Sequence, residues 1–300
     1  MDSLKKATFF MILSGISFSL SGFFAEHAIV SGYFFSTLTA RFLIPFLLLI
    51  PFIITRMKKI SVWINSYKQL PRAFSITLSQ ALFFLCAAKT SLFIAMVLYN
   101  TGPIFICLIT LFSKTKRVTG LEIIAAFVGF LGVFLILKTG SIDYESFFYL
   151  GIGVFSGVSL AFFLHKSAQT DDNLSIMTYT YLYGTIIAGI LSALFSKESY
   201  SEVFTTTPIV LLFLFLMAMG SLGNQWFRGK AYKLTARISN LSALLYLNIL
   251  FSLILDIIFN KSIPSFIQIT GAIFVMGFAV IPVIQRGNKK NTEQRRAVSS

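Results

Sequence analysis

Charge is what this 300-residue chain has little of: Asp, Glu, Lys and Arg make up 12% of it, about half the share of a soluble globular domain. Its two cysteines, Cys86 and Cys107, both lie in apolar runs, which leaves no disulfide scaffold and reads as inert packing. Its two histidines, His27 and His165, stand far apart and near no Cys or acid cluster of ligand spacing, so neither a metal site nor a bound cofactor is expected. The chain contains no P-loop, and an ATP-driven pump is not expected. Gly151-Ile152-Gly153 followed by Gly157 has a superficial likeness to a dinucleotide fingerprint, but it sits inside an apolar run without the strand that motif needs. Nothing here assembles a catalytic constellation, and an enzyme is not expected.

Apolar residues fill the gap: 56% of the chain is hydrophobic, 16% aromatic with 34 Phe, and the mean hydropathy is +0.82. Ten segments are long enough to cross a bilayer, at about 20 residues for ~30 Å of hydrocarbon. They are Ala7–Ala25, Tyr33–Thr55, Ala73–Ala88, Ser91–Ser113, Gly120–Leu137, Phe147–Leu164, Ser175–Phe195, Pro208–Phe227, Ile238–Phe259 and Phe266–Ile284. Lys5 and Lys6 before the first run resemble the start of a signal peptide, but nine further spans follow, and a retained helix is expected. The third span is the shortest and extends back to Leu70 if it needs more length.

The net charge of +14 invites a nucleic-acid reading, which the placement of the cations removes. With the N-terminus inside, twenty Lys and Arg fall on the inner side, Arg72 and Arg228 among them, and Lys89, Lys138, Lys197 and Lys261 fall on the outer. That asymmetry is the positive-inside rule and predicts both termini in the cytoplasm. No nucleic-acid partner is implied.

Splitting ten spans after the fifth gives halves that resemble each other. Ser14-Gly15-Ile16-Ser17 matches Ser156-Gly157-Val158-Ser159, Leu98-Tyr99 matches Leu245-Tyr246, and Gly132 matches Gly277. Five is odd, so the two repeats enter the membrane in opposite directions, the plan of alternating-access transporters. The expected fold is an all-α integral membrane protein of ten transmembrane helices, arranged as two inverted five-helix repeats around a central cavity. Residues 1–140 form one repeat, 141–286 the other, and 287–300 a basic cytoplasmic tail.

Thr39-Ala40-Arg41-Phe42-Leu43, the run from Ala81 to Ser91 with Tyr99-Asn100-Thr101-Gly102-Pro103-Ile104-Phe105, and the second-half counterpart from Gly220 to Leu247 carry a family likeness. In these segments the chain resembles the EamA-type transporters of the drug/metabolite transporter superfamily. That resemblance implies a ten-helix fold, a central cavity and movement of small metabolites, commonly export. The family often has a Glu just after spans four and nine, and Glu-Pro within span nine; this chain has no acid at Ser113–Thr119 or Asn260–Ser265 and has Asn248-Ile249 in place of Glu-Pro. No substrate is carried over.

Arg41 lies eight residues into span two, about 12 Å from its end. A cation there faces an anionic substrate group, pairs structurally with Glu26 or Asp256, or snorkels outward. Gln80, Tyr99, Asn100, Asn224, Gln225, Trp226, Tyr246 and Asn248 lie at mid-depth and read either as pocket lining or as interhelical glue. Glu26 and Asp256 can exchange a proton or simply sit at the interface, and Pro103 can hinge a gate or hold a static kink. The expected function is a secondary transporter in a bacterial inner membrane, moving an amino acid, related metabolite or amphipathic small molecule by alternating access, by export, coupled to a proton or counter-substrate. The alternatives are an uptake or exchange carrier for a nucleoside-like cofactor such as S-adenosylmethionine, or a membrane scaffold or sensor that transports nothing. The expected partners are a small-molecule substrate and the lipid bilayer.

Overall fold

The computed structural model describes residues 2–56, 66–102, 120–137, 148–149, 151–155, 172–196, 208–234, 241 and 243–277. Among them there are helices and turns but no strand. The helices are α1 (Asp2–Val30), α2 (Phe34–Arg56), α3 (Leu70–Lys89), α4 (Leu92–Tyr99), α5 (Gly120–Leu137), α6 (Asn173–Phe195), α7 (Pro208–Lys233), α8 (Leu247–Ile258) and α9 (Phe266–Gly277). Five of these, α1, α2, α3, α6 and α7, are long and apolar enough to cross a membrane. The chain is a multi-pass membrane protein.

Local chemistry sets the helix ends. Gly32 takes a φ of +95° in the turn between α1 and α2, a conformation that a side chain would oppose. Pro71 opens α3, where its missing N–H costs nothing. Asp172 caps α6 by accepting from Leu174 N at 3.1 Å, and Ser91 caps α4 by accepting from Ile94 N at 3.3 Å. Hydropathy places α2, α5 and the end of α6 well, but α1 runs further at both ends than Ala7–Ala25, α3 reaches back to Leu70, and α7 continues past Phe227 to Lys233. Span nine departs most: a 3₁₀ turn at Ala243–Tyr246 precedes α8, so its regular helix starts at Leu247.

The α1–α7 pair is antiparallel and closely fitted. Ser14 Oγ donates to the Asn224 backbone carbonyl (3.1 Å) and Oδ1 (2.7 Å), and seven residues on Ser21 Oγ donates to the Met217 carbonyl at 2.8 Å. Between them Gly220 lies so close that a Cβ there would stand 2.7 Å from the Ser17 carbonyl oxygen. Small residues and hydroxyls along such a seam replace the hydrophobic drive that lipid cannot supply. On the neighbouring α2–α6 contact the Phe42 ring fills the space a side chain at Gly184 would occupy, 2.3 Å from its Cβ. Gly184→Ala should therefore destabilise the protein by at least about 1 kcal/mol, read as a lower thermal midpoint in detergent.

α1 also packs on α3 and α8, α3 on α4 and α6, and α4 on α8. Phe18, Phe83, Phe84, Leu98, Met217 and Ile249 belong to one buried core drawn from both halves of the sequence. Phe127, Leu194 and Phe266 are 73%, 70% and 83% exposed, and a surface so rich in large apolar side chains is one that lipid covers.

Candidate functional site

The end of α4 and the 3₁₀ turn before α8 meet in the buried interior. α4 stops at Tyr99, and a turn at Asn100 and Thr101 follows, with Thr101 Oγ1 donating to the Leu98 carbonyl at 2.6 Å. The 3₁₀ turn ending at Tyr246 interrupts the other half at the Leu-Tyr pair that matches Leu98-Tyr99. The two breaks touch: Asn100 Nδ2 donates to Asn248 Oδ1 at 3.0 Å and to its own Met96 carbonyl at 2.7 Å, while Tyr246 Oη donates to the Asn100 carbonyl at 3.3 Å. The Asn248 carbonyl accepts from Ser19 Oγ of α1 at 2.9 Å. All three of Asn100, Tyr246 and Asn248 are buried. Backbone interrupted at this depth is tolerated where protein surrounds it or a cavity takes its place.

Beside the breaks lies a surplus of buried positive charge. Arg41, Arg72 and Arg228 are 4%, 1% and 4% exposed. Arg41 lies within the apolar length of α2, where a cation costs on the order of 3 kcal/mol even on the most permissive scale, whereas Arg72 and Arg228 lie near the ends of α3 and α7. Arg41 Nη1 donates to Ser21 Oγ at 2.8 Å, and its guanidinium lies 5.4 Å from the Phe84 ring centre and 5.9 Å from that of Phe18. Arg72 donates to Thr180 Oγ1 at 2.8 Å and to Gln225 Oε1 at 3.1 Å. Arg228 stands 6.0 Å from the same Phe18 ring. Ring faces and neutral oxygens offset part of the desolvation, but the Nε atoms of Arg72 and Arg228 have no hydrogen-bond partner. Arg41 and Arg72 are each within electrostatic range of Arg228, Tyr99 and Tyr181, and no carboxylate is among those neighbours.

Glu26 and Asp256 bond elsewhere. Asn260 Nδ2 bridges Glu26 Oε2 (3.1 Å) and Asp256 Oδ1 (2.9 Å), and Asp256 Oδ2 accepts from Phe93 N at 2.8 Å, so this carboxylate of α8 caps the first turn of α4. His27 lies within electrostatic range of Asp256. Along α1, Glu26 is five residues, about 7.5 Å, beyond the Ser21 that Arg41 bonds, and twelve beyond Ser14. Arg41 donates to Ser21 and has neither Glu26 nor Asp256 as its hydrogen-bond partner, so the structural ion pair that hydropathy permits is not formed.

Of the remaining sequence candidates, Tyr99 packs 4.6 Å from Phe18 and 6.2 Å from Phe83, centre to centre. Asn224 is held by Ser14. Gln80 is buried with Oε1 unpartnered. Trp226 lies at the edge of this group, its ring 4.9 Å from Lys230 Nζ and its carbonyl accepting from Asn173. Pro103 lies outside the described residues. Charge counting overlooked Arg72 and Arg228 because it assigned them to the inner surface. The signal for Arg228 was the spacing of Ser221, Asn224, Arg228 and Tyr232, which keeps one helix face polar beyond the apolar run.

Residues 5–138 match the model of the EamA-like transporter family, part of the drug/metabolite transporter superfamily, so the resemblance read from the sequence holds over that stretch. No curated protein matches the chain. A solved structure described only as the crystal structure of a protein is similar with a TM-score of 0.61 at 14% identity, covering 94% of this chain and 97% of that one. At that identity the likeness concerns the fold alone. The family match supports a membrane transporter of small molecules.

Proposed function

We propose that the chain is a secondary transporter of a bacterial inner membrane, built as two inverted five-helix repeats with both termini cytoplasmic. It exports an amino acid, related metabolite or amphipathic small molecule by alternating access. The observation that carries this reading is the meeting of two helix breaks, one from each half, through Asn100, Tyr246 and Asn248. A site made of discontinuous helices from both repeats changes its exposure when the repeats rock against each other. The packing agrees with a two-fold relation between the halves. Spans two and seven, four and nine, and five and ten are each other's counterparts, and α2–α6, α4–α8 and the contact of Gly132 with Gly271 on α9 join those pairs. The contact of spans one and eight, joined by Ser21 donating to the Met217 carbonyl, has its counterpart in that of spans six and three, joined with the roles reversed by Ser79 of α3 donating to the Ile152 carbonyl at 3.1 Å.

In this reading Asn100, Asn248, Tyr99, Tyr246, Asn224, Gln80, Trp226 and Arg41 bind substrate within a central cavity. Glu26 and Asp256, tied by Asn260, carry a proton or sense a counter-substrate at the outer end. Counterflow in proteoliposomes tests it. Asn100→Ala and Asn248→Ala should each cut uptake by about tenfold, a loss of roughly 1.4 kcal/mol, with the protein still folded. Loss of folded protein in both variants with no change in specific uptake would favour interhelical glue. Reporter fusions at Ser141 and Ser300 check the topology: Ser141 should report outside and Ser300 inside, and a cytoplasmic Ser141 would remove the inverted repeat.

A further inference from the structure

We propose that the substrate is an organic anion carrying a dianionic or paired negative group, a phosphomonoester or a dicarboxylate, held by Arg41, Arg72 and Arg228. This names the substrate class for the transporter reading above and rests on it. Each guanidinium is buried, and each comes from a different helix: α2, α3 and α7. The Phe18 ring places Arg41 and Arg228 within about 12 Å of each other. Along α1, Arg41 sits at the level of Ser21 through its hydrogen bond. Arg72 reaches Gln225, next to the Asn224 that Ser14 holds, so the set spans about 10 Å of depth.

Three cations collected this closely repel one another, and burial strengthens the repulsion because little water screens it. A structural role would bring a carboxylate to them, and among the described residues Glu26 and Asp256 are held on Asn260 instead. The Nε donors of Arg72 and Arg228 are buried and unpartnered, which leaves two directed N–H groups for an incoming oxygen. Planar guanidinium donors suit phosphate and carboxylate oxygens. The Phe18 and Tyr99 rings and the Asn100–Asn248 amides then meet the uncharged part of the molecule. A sulfonium such as that of S-adenosylmethionine carries the wrong sign for this site.

The experiment uses the full chain, purified and delipidated in detergent, with its melting temperature followed as ligand is added. The probes are glycerol 3-phosphate, succinate and inorganic phosphate, against glycerol, leucine and S-adenosylmethionine, with calorimetry on any that bind. Glycerol 3-phosphate or succinate should raise the midpoint in a saturable way. Arg72→Gln and Arg228→Gln should each weaken that binding by about tenfold or more, whereas Lys233→Gln, an equal loss of charge at an exposed pair, should not. Stabilisation by leucine or S-adenosylmethionine with none by the anions would overturn the anion class and leave the transporter reading standing. Equal anion affinity in both arginine variants would overturn it as well, and so would stabilisation by phosphatidylglycerol but by no soluble anion, which would mark a lipid headgroup site. Failure of every probe to bind, with no counterflow of any, would overturn both readings.

Discussion

Asp256→Ala should destabilise the folded protein by about 3 kcal/mol, and Asp256→Asn should recover most of that loss. The carboxylate is 1% exposed and accepts from the backbone N–H of Phe93 and the side-chain amide of Asn260, with the Ser91 hydroxyl also against it. Alanine removes both bonds to a charged acceptor and strands a buried N–H in the first turn of α4. Ser91 Oγ accepts from Ile94 N at 3.3 Å and would have to take on the Phe93 N–H as a second donor to cover that loss. Asparagine keeps one oxygen in place for Phe93 and gives up the charge and the bond from Asn260, whose amide then faces an NH2. Thermal melts of the purified variants measure the difference, and equal midpoints for alanine and wild type would show that the cap carries no weight.

The same pair of variants separates structure from coupling. An Asp256→Asn protein that melts like the wild type but no longer transports against a gradient, while still exchanging substrate at equilibrium, assigns the charge to coupling. If both activities survive in Asp256→Asn, the acid is a cap for α4 and nothing more. Glu26→Gln should move the melting point little, since Glu26 is tied through a single amide hydrogen bond and leaves no backbone group stranded.

How far each of these groups could be read from the sequence depended on what hydropathy measures. α2 and α5 were legible almost to the residue, because an apolar run long enough for the bilayer ends at Arg56 in one case and Leu137 in the other. The window average fails where polarity continues on one face only. Arg228 and Tyr232 extend the buried stripe of α7 past Phe227, and a sum over all faces counts them as surface. Arg72 was read as a topogenic charge for the same reason. The start of α8 was lost in the opposite way: Leu241 to Leu247 is apolar almost throughout, so no composition signal marks the 3₁₀ turn that interrupts it. Partners across helices were the least legible of all. Arg41 and Glu26 both lie toward the same end of their spans, yet the register of α1 against α2 hands Arg41 to Ser21, five residues short of Glu26.

That register makes the expected behaviour of Arg41 specific. A guanidinium paired with a structural acid would, on removal, strand the acid and destabilise the fold by several kcal/mol. Here removal strands only the Ser21 hydroxyl, which is also engaged with the Met217 carbonyl, and it relieves repulsion from Arg228. Arg41→Met, which keeps the length and the contact with the Phe18 and Phe84 rings, should therefore be as stable as the wild type or more so. Transport should nevertheless fall by about tenfold or more, because the interaction lost is one made to substrate. Arg41→Lys keeps the charge without the planar fork and should lie between the two in transport. Two measurements on one set of proteins decide it, thermal midpoint and counterflow rate. An Arg41→Met protein that is destabilised yet transports at the wild-type rate would make Arg41 a packing residue and remove it from the site.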